Sequence, residues 1–139
     1  MKDVLRTRYT FLFLLTAGCL LTSGCAFAYP LNGTMLMPST LDLKTVFQTT
    51  QATVVARGFS VVQSNPDTGL ISAQRKIGEI VETLNCQIST GSDGRVKILM
   101  SVFSSYSRWP PLVRGDMLSI AKEIAAKLGV SEKDVSMEF

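Results

Sequence analysis

Histidine is absent from this 139-residue sequence, and charged residues make up only 18% of it. Without an imidazole, a Ser-His-Asp or Cys-His nucleophilic site has no base, and the HExxH zinc motif has no ligands. The scattered carboxylates also form no obvious metal-ligand pattern. We therefore expect a protein that is not an enzyme and that holds no metal or other cofactor.

A basic surplus is missing from most of the chain as well. The formal net charge is +3, but Lys2, Arg6 and Arg8 against Asp3 contribute +2 of it. The remaining residues carry 11 basic and 10 acidic side chains. Because nucleic-acid binding depends on neutralising several phosphates with lysine and arginine, we expect no nucleic-acid partner.

The N-terminal segment has the three-part pattern of a secretory signal. A basic stretch (residues 1–8) precedes an uncharged, mostly apolar run (residues 9–21), and small residues then lead to Cys25. The apolar run is shorter than the roughly 20 residues that a membrane-spanning helix needs. The pattern therefore predicts export across a membrane.

The end of this segment resembles the lipobox of bacterial lipoproteins, in the residues Leu21, Thr22, Ser23, Gly24 and Cys25. In that class the cysteine thiol receives a diacylglycerol, a dedicated peptidase cuts before the cysteine, and the new amino group is acylated. The departure here is Thr22, where leucine is commonest. The resemblance implies that residues 1–24 are a signal peptide and that Cys25 carries acyl chains, which anchor a protein stably when there are two or more.

The residue after the cysteine is Ala26. In lipoproteins of Gram-negative bacteria an acidic residue at this place tends to retain the protein in the inner membrane. Its absence implies sorting to the outer membrane, on the periplasmic face. The implied partners are the membrane, through the lipid anchor, and a protein of the cell envelope.

Three alternatives to acylation at Cys25 remain open. Cys19 ends a second stretch with the lipobox pattern. Residues 26–28 form an A-x-A site for ordinary signal peptidase, which would release a soluble periplasmic or secreted protein that begins at Tyr29. Residues 9–28 are long enough to remain as an uncleaved membrane anchor.

The segment at residues 25–38 contains no charge, two prolines and a glycine. We expect a lipidated N-terminus and a flexible tether there, with residues 39–139 forming one domain. Ser39 is predicted to cap a first helix, which Asp42 stabilises in its first turn and Gly58 ends.

The rest of the domain alternates as strands do and then returns to a helical pattern. The predicted elements are strands at residues 59–64, 70–76, 83–89 and 95–103, a helix at 112–128 and an optional short strand at 135–139. The predicted fold is α+β, a two-layer sandwich in which a four-stranded antiparallel sheet carries both helices on one face. This order resembles the layout of helix-grip-like accessory lipoproteins of the outer-membrane assembly machinery.

Two features indicate binding of a partner. Tyr106, Arg108 and Trp109 share one proline-bounded loop, and aromatic residues with arginine are typical of interface hot spots. Separately, an apolar set falls on the nominally wet face of the sheet, comprising Val62, Leu70, Leu99 and Phe103. If these residues are contiguous they form a docking patch, unless residues 29–38 or 135–139 cover them.

Other chemically notable residues favour structural roles. Cys86 lies on the apolar strand face and is predicted to be a buried, inert thiol. Glu79 and Glu82 are predicted to be solvated acids in a turn. The sequence thus predicts an envelope lipoprotein with a non-catalytic binding or scaffolding domain. The alternative is a periplasmic binding module for lipid or cell-wall fragments.

Overall fold

The computed structural model describes residues 30–105 and 110–139. Its elements are β1 (Leu31–Met37), α1 (Leu43–Ala56), β2 (Ser60–Asn65), β3 (Leu70–Ile77), β4 (Ile80–Thr90), β5 (Val96–Ser104), α2 (Pro110–Lys127), a 3-10 turn (Glu132–Asp134) and β6 (Ser136–Glu138). The strands form one antiparallel sheet in the order β2-β3-β4-β5-β1-β6.

The α+β architecture is confirmed, but the prediction of a four-stranded sheet is wrong, because the sheet has six strands. One added strand, the short β6, matches the optional strand predicted at residues 135–139. The other, β1, occupies the segment for which a flexible tether is predicted, and its Met35 and Met37 are fully buried. The domain therefore includes residues 31–37, which precede the predicted start at Ser39. Strand β1 exists because β5 supplies its hydrogen-bond partners, and β5 lies far along the chain.

Helix α1 begins later than the sequence predicts. Asp42, and not Ser39, is its N-cap: the Asp42 carboxylate accepts hydrogen bonds of 2.9 Å from the backbone N–H and the hydroxyl of Thr45. The N–H bond is the largest cause of a lowered pKa at Asp42. Asp42 has the extended backbone that an N-cap requires, whereas it was predicted to lie within the first turn.

The hydrophobic core lies between one face of the sheet and the two helices. Side chains at alternating strand positions point into it, as the predicted period of two requires. The largest fully buried apolar members are Met35, Met37, Val46, Val54, Ile71, Leu84, Val96, Ile98, Met100, Met117 and Ile124. The four predicted strands, β2 to β5, and both helices lie within a few residues of their predicted bounds.

Candidate binding surface

No element of the described residues covers the second face of the sheet. We call it the open face. It consists of the side chains that alternate with the core residues along the strands. Neither β1 nor β6 covers this face: both strands pair edge to edge with their neighbours and extend the sheet sideways.

A row of polar side chains crosses the middle of the open face. Ser72, Asn85, Ser101 and Asn32 stand opposite one another on β3, β4, β5 and β1. The Ser72 hydroxyl donates to Oδ1 of Asn85, and the Ser101 hydroxyl donates to Oδ1 of Asn32, each at 2.7 Å. These cross-strand bonds restrict the rotamers of the row, so the face is ordered before any partner arrives.

Two exposed apolar side chains flank this polar row on β5. Leu99 and Phe103 lie on either side of Ser101 and are both exposed. Leu70 is on the same face, but Gln87 stands between it and Leu99 in the register of the sheet. The condition of a contiguous apolar patch is therefore not met. Polar positions separate the apolar side chains.

The fourth predicted member of the patch, Val62, lies apart from the others. It is exposed at a register shift between Val61 and Gln63, where the edge strand β2 bulges. A bulge at a sheet edge disturbs the regular pattern of free N–H and C=O groups and so opposes pairing with another chain. Val62 therefore does not belong to the same surface as Leu99 and Phe103.

The remaining predicted site residues lie outside the described residues. They are Leu21, Thr22, Ser23, Gly24 and Cys25 of the lipobox, and Tyr106, Arg108 and Trp109 of the loop between β5 and α2. Nothing in the described structure bears on their predicted roles.

A charged cluster that the sequence analysis missed lies at the opposite face, under the helices. Arg75 Nε on β3 donates to Oε2 of Glu82 on β4 at 2.7 Å, and its Nη2 donates to Oδ2 of Asp116 on α2 at 2.9 Å. The same guanidinium lies 4.4 Å from the ring centroid of Phe59. One cation thus joins two strands, a helix and the residue before β2.

The prediction of a solvated Glu79–Glu82 pair is wrong for Glu82. Glu79 is 99% exposed and lies 3.9 Å from Lys76, whereas the Glu82 side chain is 1% exposed. The sequence did carry a signal for this difference, because Glu82 shares the strand parity of Leu84 and Cys86 on the core face. Glu79 is therefore solvated and Glu82 is buried. The Arg75 cluster links the sheet to α2 through ion pairs.

Cys86 confirms its predicted burial, with no exposed side-chain surface. Burial raises the pKa of its thiol to about 12, so the nucleophilic thiolate is scarce near neutral pH. Within residues 30–105 and 110–139, no group of three or more acidic or cysteine side chains is placed to hold a metal ion. No helix in the described part of the chain has the length and hydropathy to span a membrane.

Comparison with known proteins adds no relative: no protein-family model matches the sequence, and neither does any curated protein.

Proposed function

We propose that this chain is a lipid-anchored protein of the bacterial cell envelope whose domain binds a protein partner through the open face and catalyses no reaction. The anchor is inferred from the lipobox-like residues 21–25, with Cys25 as the acylated residue. A membrane anchor and an uncovered sheet face together suit a binding or scaffolding component of an envelope assembly.

The observation that carries the binding role is the exposure of Leu99 and Phe103 on an ordered, uncovered sheet face. Burying these side chains against a partner is favourable, because each square ångström of apolar surface removed from water contributes roughly 25 cal/mol. The hydrogen-bonded row beside them loses little rotamer freedom on binding, since its bonds already restrict it. The polar row then sets the register of the partner.

A protein partner suits this surface better than a small ligand. Small-molecule sites are concave and surround most of the ligand, whereas the open face is a sheet surface without walls in the described structure. Among the grooves that described residues line, one of about 400 Å³ lies beside Pro38 and Arg95, and another of about 210 Å³ lies between α2 and β6; neither lies on the open face.

Site-specific photo-crosslinking in the producing cells tests this function. A photoreactive amino acid at Leu99 on the open face is compared with one at Val55, which is exposed on α1. We expect a discrete crosslinked adduct in the envelope fraction from position 99 and none of that mass from position 55. The same adducts from both positions, or none from position 99, would contradict binding through the open face.

A further inference from the structure

The antiparallel order of the sheet sorts the connections of the domain into two ends. Leu31, the first residue of β1, pairs with Val102 near the end of β5. At the same end β3 turns into β4 through residues 77–80, and α2 begins six residues after β5 ends. We call this the basal end, formed by Leu31, Phe139 and residues 76–81, 103–105 and 110–114.

Exposed apolar side chains concentrate at the basal end. Ten large apolar residues are exposed in the described structure, and five of them belong to this end. They are Ile77, Val81, Phe103, Leu112 and Phe139, with exposures between 38% and 53%. The five come from three strands, a helix and the residue after β6, so no single amphipathic element accounts for them.

Local geometry explains the exposure of Ile77 and the position of Phe139. Ile77 and Ile80 pair directly across a two-residue turn, where Gly78 adopts a φ of +60°. This turn carries Ile77 past the last core layer. Phe139 lies against Gly33, and the Arg114 guanidinium sits 5.6 Å from its ring centroid.

The charges of the basal end leave this apolar surface accessible. Lys76 and Glu79 lie 3.9 Å apart and offset each other. The long Arg114 side chain lies over the Phe139 ring. An arginine can keep its guanidinium at the level of lipid headgroups while its aliphatic part and an adjacent ring contact apolar surface.

The segment that follows Cys25 reaches β1 at this same end of the domain. Six residue steps join Cys25 to Leu31, and at 3.3–3.6 Å per residue they span at most about 22 Å. Acyl chains on Cys25 would hold that residue at the bilayer surface, so the start of β1 could not move far from the lipid headgroups. A short tether that emerges among exposed apolar side chains brings those side chains to the membrane.

We infer that the basal end rests on the lipid bilayer, with Ile77, Val81, Leu112 and Phe139 in contact with lipid. This inference depends on the proposed anchoring at Cys25. The strands then point away from the membrane, and the open face stands upright beside it. Phe103 lies where the two surfaces meet, and Leu99 remains free for a partner above the bilayer.

Depth-dependent fluorescence quenching in the full mature protein tests this orientation. One variant, Ile77→Cys, places a dye at the basal end. Its matched control, Leu43→Cys, places the dye at the start of α1, at the opposite end, where Leu43 is similarly exposed at 41%. Native Cys86 is buried and does not compete for the label. The labelled proteins are reconstituted in phosphatidylethanolamine–phosphatidylglycerol vesicles that contain a lipid spin-labelled near the headgroup.

The expected result is several-fold stronger quenching at position 77 than at position 43, and weaker quenching at 77 after Val81→Asn and Leu112→Asn are introduced. The intact mass of the same preparation reports acylation. If the protein is acylated but both dyes are quenched alike, or neither is quenched, the orientation is overturned while the anchor stands. If Cys25 carries no acyl chain, the proposed anchoring fails, and the membrane contact fails with it.

Discussion

Arg75 and Glu82 pair across β3 and β4 at 2.7 Å, and the carboxylate of that pair is almost completely shielded from water. A buried charge is tolerated only with such a partner, because desolvation of an unpaired carboxylate costs several kcal/mol. The pair therefore fixes the register of the hairpin near the basal end. Through Asp116 it also fixes the position of α2 over the sheet.

Replacing Arg75 with methionine should destabilise the domain strongly. The variant removes one charged partner, the Arg75 guanidinium, from buried Glu82, for which we expect a loss of about 3 kcal/mol in the free energy of unfolding. Urea titration followed by circular dichroism measures it. The double variant Arg75→Met/Glu82→Leu should be more stable than Arg75→Met alone. A double variant that is no more stable would show that the charge of Glu82 is not what makes Arg75 necessary.

Gly69→Ala should also destabilise the domain. A Cβ at this position would collide with the backbone carbonyl oxygen of Ile88, and Gly69 has a φ of +70°, which side chains rarely adopt. The variant should therefore cost about 1–3 kcal/mol of stability.

The matched control for this variant should increase the stability of the domain. Gly115 lies within α2 with open space around the place of a Cβ. Gly115→Ala should therefore add about 0.5–1 kcal/mol of stability through helix propensity. Thermal unfolding of the two variants is measured side by side, and equal shifts of the midpoint in the same direction would contradict the close backbone approach described at Gly69.

The helix cap gives a pH-dependent prediction. Hydrogen bonds from Thr45 lower the pKa of Asp42. The stabilisation is therefore present above the pKa of an unfolded aspartate and is lost as the pH falls through the lower folded-state value. Asp42→Ala should reduce the midpoint of thermal unfolding at pH 7, and the difference from wild type should shrink in strong acid. Ser39→Ala should change neither midpoint, and an effect as large as that of Asp42→Ala would restore Ser39 as the cap.

The buried thiol of Cys86 should make the folded state less stable at alkaline pH. Its pKa is raised to about 12 by burial in the folded state, whereas an unfolded cysteine ionises near 8.5. Between these values the unfolded state binds fewer protons, so stability falls as the pH rises. Cys86→Ala should lack this part of the decline when unfolding is measured from pH 8 to 11. A thiol reagent should label native Cys86 only under denaturing conditions, and rapid labelling of the folded protein would contradict its burial.

The sequence predicts best what local periodicity determines. The alternation of Leu84, Cys86 and Ile88 gave β4, and the turn signals around Gly69 and Gly94 gave two of the hairpins. Strand β1 was missed because its alternation contains Gly33 and because its only long partner, β5, is more than 50 residues away. Alternation within a segment does not show which distant segment it pairs with, so the pairing of β1 with β5 could not be inferred.

The candidate surface was predictable only in part. Strand parity places Leu70, Leu99 and Phe103 on the uncovered face. Whether these apolar side chains touch depends on which side chains lie between them on neighbouring strands. Gln87 occupies that place between Leu70 and Leu99, and only the register shows it. The Arg75–Glu82 pair was missed for the same reason. Residues seven positions apart in sequence become direct neighbours only through the register of the hairpin.

The measurement that tests the central claim most directly is the intact mass of the protein extracted from membranes, beside a Cys25→Ser variant. The account predicts a wild-type chain that begins at Cys25 and carries the added mass of its acyl chains. It also predicts that the variant accumulates as the uncleaved precursor. A wild-type chain that begins at Tyr29 without added mass would contradict anchoring and indicate a soluble exported protein.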